Sequence, residues 1–315
     1  MRHRTRKTAL YAAVSIGAVV LLAVALYGLG HVGLQPPGAR YDSRMASDIA
    51  AQPCWQNTLE TSIPQTELYE VMARHMLDSQ GQQARKLLFI GLDGALAPAA
   101  GVLAQQPGGA ISELAAQGGL WLGYTGGANP GDQITRTAPS WTSMFTGYWA
   151  DRHQVYDNGD TLSPEVRTIL YQIQVRGGQA SFSFSWKPHL TASYRHEAEE
   201  YPSVFHHCEN DVDTLSSMLR AIAGGRDAVF GILEHADHAG HLVGYSTRIP
   251  GYMQAMDRAQ ADAGALIEAA RERMALHGED WLIIVASDHG GLGFDHRGTS
   301  LMESTIFFAS NKAIF

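Results

Sequence analysis

The stretch KLLFIGLDG, residues 86–94, is a continuous apolar run that ends in Asp-Gly. Strands that are covered on both faces have such unbroken apolar runs, as in the parallel sheets of α/β proteins. Two later stretches have the same form, DAVFGILEH at 227–235 and DWLIIVASDHGG at 280–291. Because helical patterns lie between these strands, the chain is predicted to be an α/β protein with a mostly parallel sheet sandwiched by helices.

The remaining segments alternate between helix and strand patterns. Helices are predicted at about 97–105 and 110–117, and further ones at 212–225 and 249–278. The segment TLSPEVRTILYQIQVRGG, residues 161–178, is predicted as one helix with Ser163 as N-cap and Pro164 in its first turn. Further strands are predicted in WLGYTG, QASFSFSW and STIFFAS.

The first 34 residues differ in composition from the rest of the chain. Residues 1–8 form a basic tail, and residues 9–34 form an apolar run with no formal charge when His31 is neutral. About 20 apolar residues cross a bilayer as a helix, and basic residues before them favour a cytoplasmic N-terminus. We therefore expect an uncleaved transmembrane anchor with the main domain in the periplasm or outside the cell. A cleaved signal peptide is the alternative, although its apolar run would be shorter.

Residues 35–85 are predicted as a linker followed by a juxtamembrane helix, and residues 86–315 as the main domain. Pro, Gly and polar residues dominate 35–63, which indicates a linker on the domain surface. The following PQTELYEVMARHML has the three- and four-residue apolar spacing of a helix.

The charge and the cysteine content bear on partners and compartment. The formal net charge is −8. This sum includes the positive charges of the basic tail, so the rest of the chain carries a still larger negative charge. We therefore expect no nucleic acid polymer as a partner.

The only two cysteines are Cys54 and Cys208. In an oxidising compartment they could form a disulfide, and two unpaired thiols are the alternative, because sequence does not fix their distance.

Three predicted strands end in ionisable residues. FIGLDG ends in Asp93, FGILEHADHAGH in Asp237 and His241, and IIVASDHGG in Asp288 and His289. Ligand sites of open α/β sheets lie at the carboxyl ends of strands, so these side chains could reach one crevice. Carboxylate oxygen and imidazole nitrogen are a common zinc ligand set. Each residue alone is more often a turn, cap or surface residue, but three such strand ends together favour a metal site.

The stretch TRTAPSWTSMFTG, residues 135–147, is crowded with hydroxyl side chains. Ser and Thr often cap helices and occur in loops. One of these hydroxyls could instead be a nucleophile at a helix N-terminus, where backbone N–H groups favour an anion. The stretch alone leaves both interpretations open.

Taken together, these motifs resemble the alkaline phosphatase superfamily, and within it the type I phosphodiesterase/nucleotide pyrophosphatase proteins. The resemblance covers roughly residues 86–310 and consists of LLFIGLDG, TRTAPSW, HQVYDNG, DHAGH and SDHGG in the order of the family. It implies an alkaline phosphatase-like fold. The combination is specific, although no single motif would be.

The resemblance also implies two Zn²⁺ ions and the residues that hold them. One set of ligands is Asp93, Thr137, Asp288 and His289. The other set is Asp237, His241 and a third histidine. Thr137 matches the nucleophile of the family, and Asn158 matches the asparagine that hydrogen-bonds a phosphoryl oxygen.

The third histidine is where this chain departs from the nucleotide pyrophosphatases. In those proteins it lies much farther beyond the DH pair than this chain extends. Other branches of the superfamily have a ligand histidine soon after DHG, so His296 is predicted as the ligand. The alternative for His296 is an exposed loop residue near Arg297. His153 matches a family position that is predicted to be structural.

These residues predict a membrane-anchored, zinc-dependent hydrolase of the phosphodiesterase/nucleotide pyrophosphatase type. A threonine nucleophile would form a phospho-threonine intermediate on a small-molecule or lipid-headgroup phosphodiester, and other divalent metals could replace zinc. A phosphomonoesterase or phospho-group transferase of the same superfamily is one alternative, because these reactions share a metal core. A non-catalytic membrane-anchored binding protein is the other.

Overall fold

The structure of the chain, a computed structural model, describes residues 37–78 and 84–315. Eight strands within them form one sheet. The strands are β1 Ile63–Pro64, β2 Arg85–Leu92, β3 Gly119–Tyr124, β4 Ala180–Phe184, β5 Phe205–His207, β6 Ala228–Leu233, β7 Asp280–Ala286 and β8 Thr305–Ser310. Their order across the sheet is β1-β3-β8-β7-β2-β6-β4-β5.

The sheet is mixed, because one strand runs against the others. β8 pairs antiparallel with both β3 and β7, whereas the other neighbouring pairs are parallel. The chain passes from β7 to β8 through a loop and one short helix, without crossing to the other end of the sheet, so β8 must run back along β7. The predicted α/β fold with a mostly parallel sheet is confirmed, and β8 is its antiparallel exception.

Helices flank the sheet along the described chain. They are α1 Pro37–Ala50, α2 Glu67–Leu77, α3 Ala97–Ala104, α4 Ala110–Gln117, α5 Thr137–Thr146, α6 Ala150–His153, α7 Ile169–Val175, α8 Arg195–Glu200, α9 Asp211–Ala223, α10 His235–Val243, α11 Pro250–His277 and α12 Leu301–Ser304. A π-helix spans His189–Ser193.

Strand β2 shows that both faces of the sheet are covered. Leu88, Ile90 and Leu92 belong to a core cluster that includes residues of α3, α4 and α11. Leu87 and Phe89 belong to a second cluster, which includes residues of α2, α5 and α7. Successive strand residues point to opposite faces, so burial of all of them explains the unbroken apolar run in the sequence.

The helix predicted over 161–178 is wrong in its first part. Helix α7 begins at Ile169, and its N-cap is Thr168, whose Oγ1 accepts the N–H of Tyr171. The amides before it have distant partners: Leu162 N–H donates to Ser193 O and Ser163 N–H to His153 O. These contacts keep residues 161–168 out of the helix.

The segment 35–63, predicted as a linker, contains helix α1. Met45 and Ile49, four residues apart on this helix, are buried in the first core cluster. Residues Asp42–Phe315 form one compact unit.

Cys54 and Cys208 are both free thiols, so of the two open alternatives the structure has the unpaired one.

The predicted transmembrane anchor, residues 9–34, lies outside the described residues. Within 37–78 and 84–315, no helix combines the length and the apolar character that are needed to cross a bilayer.

Candidate metal centre

The candidate site lies where three neighbouring strands end. Strands β7, β2 and β6 are adjacent and parallel, so their carboxyl ends meet at one edge of the sheet. Asp93 follows β2, and Asp288 and His289 follow β7. Asp237 and His241 lie on α10, which begins directly after β6. The structure therefore brings together the strand ends that the sequence singled out.

The first cluster of potential ligand atoms surrounds Nε2 of His289. Its Nε2 is 3.3 Å from Asp288 Oδ2 and 3.5 Å from Asp93 Oδ1. Thr137 Oγ1 is also 3.5 Å from this nitrogen. Ligand atoms at about 2.0–2.1 Å from a tetrahedral zinc ion are roughly 3.3–3.4 Å from one another. The three separations from His289 Nε2 therefore match the spacing of ligands around one small ion.

Two oxygens in this cluster have no hydrogen-bond partner. Asp93 Oδ1 and Asp288 Oδ2 are buried, and no described residue donates to them. The opposite oxygens are held, since Trp141 Nε1–H donates to Asp93 Oδ2 at 3.2 Å and Gly94 N–H to Asp288 Oδ1 at 3.1 Å. Burial, with a further contribution from neighbouring carboxylates, raises the pKa of both carboxyl groups well above the usual range. A cation next to the free oxygens would compensate this cost, so the residues fit a metal ion.

The second cluster consists of Asp237, His241 and His296. Asp237 Oδ2 is 3.4 Å from His241 Nε2, one helical turn along α10, and Asp237 Oδ1 is 3.5 Å from His296 Nε2. His296 is buried, with 6% of its surface exposed, and so is not the exposed loop residue that was its alternative. Its ring stacks on His289 with centroids 3.8 Å apart, which brings the two clusters side by side.

All three imidazoles direct Nε2 towards the clusters. Each Nδ1 lies 2.8 Å from a backbone carbonyl oxygen, namely Gly290 O for His289, Phe294 O for His241 and Thr135 O for His296. Because a carbonyl only accepts, Nδ1 carries the proton and Nε2 is left with a lone pair for a metal. Burial, together with neighbouring His296, lowers the pKa of His289 well below its usual value, which keeps this ring neutral.

Asp237 belongs to both clusters. Its carboxylate also lies within ligand distance of Asp93 and His289, so that two groups of three potential ligands share it. The resemblance to the family assigned Asp237 to one ion only. In this structure its carboxylate is shared by the two groups of potential ligands, so its orientation bears on both.

Two glycines on either side of Leu92 and Asp93 make this geometry possible. A Cβ at Gly91 would lie 2.6 Å from Trp141 Cη2, so only glycine admits the indole that holds Asp93. A Cβ at Gly94 would lie 2.8 Å from the Cα of Asp237, and the φ of Gly94 is +63°. The pattern FIGLDG therefore combines a buried strand with two glycines that leave room for Trp141 and for the backbone of Asp237.

Thr137 is the first residue of helix α5, whose N-cap is Arg136. The first amides of a helix have no acceptor within it, and they favour an anion. Ala138 N–H donates to Asn158 Oδ1 at 3.1 Å, which brings the Asn158 carboxamide next to Thr137. Among the described residues, no hydrogen bond from the Asn158 NH₂ group is observed.

The other hydroxyls of this stretch have structural partners. Ser140 Oγ is 3.0 Å from Thr125 Oγ1, and Ser143 Oγ is 3.0 Å from His153 Nε2. Thr142 Oγ1 donates to the hydroxyl of Tyr194 at 3.3 Å. His153, the last residue of α6, is buried and contacts α5 through this Ser143 hydroxyl.

Sequence reasoning missed two residues that hydrogen-bond to carboxylates of the candidate centre. Trp141 lies four residues after Thr137 and hence on the same side of α5, which is a signal that the motif APSW contains. Tyr245 donates to Asp237 Oδ1 from a turn beyond the end of α10. No local pattern indicates the role of Tyr245, because the contact depends on where the chain turns after the helix.

Residues 133–297 match the sequence model of the family described as type I phosphodiesterase/nucleotide pyrophosphatase. This match covers more than half of the chain and includes Thr137, Asn158, Asp237, Asp288 and His296. No curated protein matches the chain in sequence.

Several solved structures resemble the fold. A 2-O GAG sulfatase has a TM-score of 0.51 at 13% identity, and the match covers 73% of this chain and 64% of that one. Murine ectonucleotide pyrophosphatase/phosphodiesterase 5 has a TM-score of 0.46 at 20% identity, over 65% of this chain and 57% of that one. The alkaline phosphatase of an Antarctic bacterium has a TM-score of 0.44 at 11% identity, over 73% and 92%. This chain thus spans less than two thirds of the length of the first two.

Proposed function

Since the chain belongs to the type I phosphodiesterase/nucleotide pyrophosphatase family, we propose that it is a zinc-dependent phosphodiesterase with Thr137 as its nucleophile. One observation carries this proposal. Thr137 Oγ1 is 3.5 Å from His289 Nε2, the atom on which the unpartnered oxygens of Asp93 and Asp288 also converge.

Two sets of residues would hold the ions. The first set is Asp93, Thr137, Asp288 and His289, and the second is Asp237, His241 and His296. When bound, the two ions would lower the pKa of hydroxyl groups and water next to them and would offset negative charge on the phosphoryl group. No general base beside Thr137 is then required.

The reaction takes place in two displacements. Thr137 Oγ1 attacks phosphorus in line, its hydroxyl proton is released, and the bond from phosphorus to the alcohol or nucleotide group breaks. The leaving group departs as an alcohol after it takes up a proton. Water then attacks the phospho-threonine, the bond from phosphorus to Oγ1 breaks, and the Thr137 hydroxyl is restored.

Asn158 and the start of α5 orient the phosphoryl group. Asn158 Oδ1 is occupied by Ala138 N–H, so the Asn158 NH₂ group is the part that can donate to a phosphoryl oxygen. Thr137 N–H, the first amide of α5, is a second donor next to the nucleophile. Both groups lie beside the nucleophile, and donors held in place by the fold are what electrostatic stabilisation of a transition state requires.

The proposed substrates are small-molecule or lipid-headgroup phosphodiesters. A threonine nucleophile together with Asn158 favours diesters over monoesters. Zinc-loaded protein should be assayed on nucleotide, glycerophospho- and lipid-headgroup diesters and on the corresponding monoesters. A higher kcat/KM for a monoester would replace this proposal with a phosphomonoesterase.

We also propose that residues 9–34 anchor the protein in the membrane with the catalytic unit on the periplasmic or extracellular side. The apolar run and the basic tail before it support this proposal. Full-length protein should sediment with membranes, and protein that begins at residue 37 should not. Recovery of both in the soluble fraction would contradict the anchor.

Replacing the nucleophile tests the reaction directly. Thr137→Ala should leave the fold intact and lower turnover of an aryl phosphodiester by about 10³-fold or more, because one member of a catalytic unit is lost. Ser140→Ala is the matched control, since it removes a neighbouring hydroxyl of the same helix that bonds to Thr125. It should keep nearly full turnover.

A second measurement identifies the intermediate. Rapid acid quenching during turnover should yield a phosphorylated peptide that contains Thr137. Unchanged turnover in Thr137→Ala, or a phosphate on Ser140, would remove Thr137 from the mechanism.

A further inference from the structure

Tyr245, which the proposed reaction does not use, contacts the carboxylate shared by the two clusters. Its hydroxyl donates to Asp237 Oδ1 and lies 3.4 Å from the backbone oxygen of the same residue. The other polar side chains near this carboxylate are His241 and His296 and, in the second group of potential ligands, Asp93 and His289, all of them candidate ligands themselves. Among residues 42–78 and 84–315, Tyr245 is thus the donor that fixes Asp237 without being a ligand.

The other two carboxylates of the centre are held in the same manner. Asp93 receives the indole N–H of Trp141, and Asp288 receives the backbone N–H of Gly94. Each carboxylate therefore has at least one donor that orients it. Tyr245 completes this set for Asp237, the one carboxylate that belongs to both groups of potential ligands.

The ring of Tyr245 is closely packed between two segments of the chain. A Cβ at Gly240 would lie 2.2 Å from Tyr245 Cε1, and one at Gly291 would lie 2.4 Å from Cγ. The backbone N–H of Tyr245 donates to Gly293 O at 2.8 Å, and the residue is 4% exposed. Two glycines from different segments thus make room for this ring, which cannot move away from Asp237 without displacing α10 or the loop after β7.

We propose that Tyr245 is a positioning residue whose hydroxyl fixes the carboxylate of Asp237 and thereby sets the affinity of the centre for zinc. This inference rests on the proposed function, since it takes Asp237 to be a zinc ligand. A carboxylate without its donor would rotate and take up several orientations, and only some of them place both oxygens towards the ions. Removal of partners that orient metal ligands typically costs about 10–100-fold in metal affinity or activity.

Tyr245→Phe tests the inference, because it keeps the ring and removes only the hydroxyl. Zinc affinity should fall by about 10- to 100-fold, measured by competition with a chelator of known affinity and by elemental analysis of the dialysed protein. Thermal unfolding in the presence of chelator will show whether the variant folds. Tyr194→Phe is the matched control, since it removes another buried hydroxyl, which bonds to Thr142 and to no candidate ligand. Its zinc affinity should equal that of the wild type.

A double-mutant cycle separates positioning from a general loss of structure. In an Asp237→Ala background, Tyr245→Phe should produce no further fall in zinc affinity, because the carboxylate that it orients is gone. Equal additional losses in both backgrounds would overturn the inference. So would a Tyr245→Phe variant that folds and binds zinc as tightly as the wild type.

Failure of the proposed function gives a different result. Wild-type protein that retains no zinc at saturating free metal would contradict the metal centre itself. Wild-type protein that binds zinc, with an unaffected Tyr245→Phe variant, would contradict only the role of Tyr245.

Discussion

Gly91 is the residue at which strand packing and site geometry depend on each other. It lies in β2, beneath the indole of Trp141, and that indole donates to Asp93. A methyl group at this position would meet Trp141 Cη2 at 2.6 Å and Ile232 Cγ1 at 3.1 Å. The glycine thus allows the close approach that holds a candidate metal ligand.

Gly91→Ala should destabilise the protein by about 1–3 kcal/mol, because an extra methyl group must force Trp141 or the strand aside. The change is measured by urea unfolding at fixed zinc concentration. Gly264→Ala is the matched control, since Gly264 lies in helix α11 with no atom within 4 Å of its ideal Cβ. That variant should be stabilised by about 0.5–1 kcal/mol. Equal effects of the two substitutions would contradict the packing of Trp141 on Gly91.

At the scale of elements, helix α7 shows how tertiary contacts move a helix start. Glu197 of α8 accepts Thr168 N–H at 2.9 Å and Thr168 Oγ1–H at 2.5 Å. Thr168 in turn accepts the N–H of Tyr171 and caps α7. Burial raises the pKa of Glu197 to about 7 from its ordinary 4.5. A buried acid of one helix therefore determines where another helix begins.

The raised pKa of Glu197 predicts a pH dependence of stability. Folded protein keeps this proton up to about pH 7, whereas the unfolded chain loses it near pH 4.5, so stability falls as pH rises through this window. The full change is about 3 kcal/mol at 1.36 kcal/mol per pKa unit. Glu197→Gln cannot ionise, and its free energy of unfolding should therefore fall less between pH 5 and pH 8 than that of the wild type.

The measurement is urea unfolding at several pH values with the same free zinc for both proteins. Other buried acids contribute equally to both, so the difference between the two slopes isolates Glu197. Glu199→Gln, at an exposed position of the same helix, should keep the wild-type slope. Parallel slopes for wild type and Glu197→Gln would show that Glu197 is ionised in the folded state throughout.

At the scale of the whole molecule, the candidate centre joins segments that are far apart in sequence. Its potential ligand atoms come from residues as far apart in sequence as Asp93 and His296. The carboxylates among them repel one another when no cation lies between them. Binding of zinc should therefore stabilise the entire folded unit and not only the loops around the site. The apoprotein should be the less stable form.

Metal removal tests this prediction. Free zinc at 100 times the dissociation constant stabilises the folded state by about 2.7 kcal/mol, which raises Tm by about 5–10 °C for a domain of this size. Thermal unfolding in buffered zinc and in chelator gives the shift. Asp93→Asn, which weakens one ion position, should show a smaller shift. An identical Tm in zinc and in chelator for the wild type would argue against a metal centre.

Much of this architecture was predictable from local patterns. The apolar runs before Asp93 and Asp288 identified β2 and β7, because burial on both faces requires apolar residues at every position. Helix α11 was predicted from its amphipathic spacing, with Gly278 ending it in a left-handed conformation. The residue types at the strand ends indicated a metal site before any contact was known.

Local sequence patterns identify the residues that end the strands, indicate that these residue types suit a metal ion, and predict that helices cover a largely parallel sheet. Three features depend on the folded chain: Asp237 is shared by two groups of potential ligands, Trp141 and Tyr245 donate to candidate ligand carboxylates, and β8 runs antiparallel. The physical reason is the range of the interactions. Burial and backbone preference act on neighbouring residues and leave a periodic pattern, whereas a hydrogen bond to a ligand joins residues whose spacing in the chain carries no such pattern.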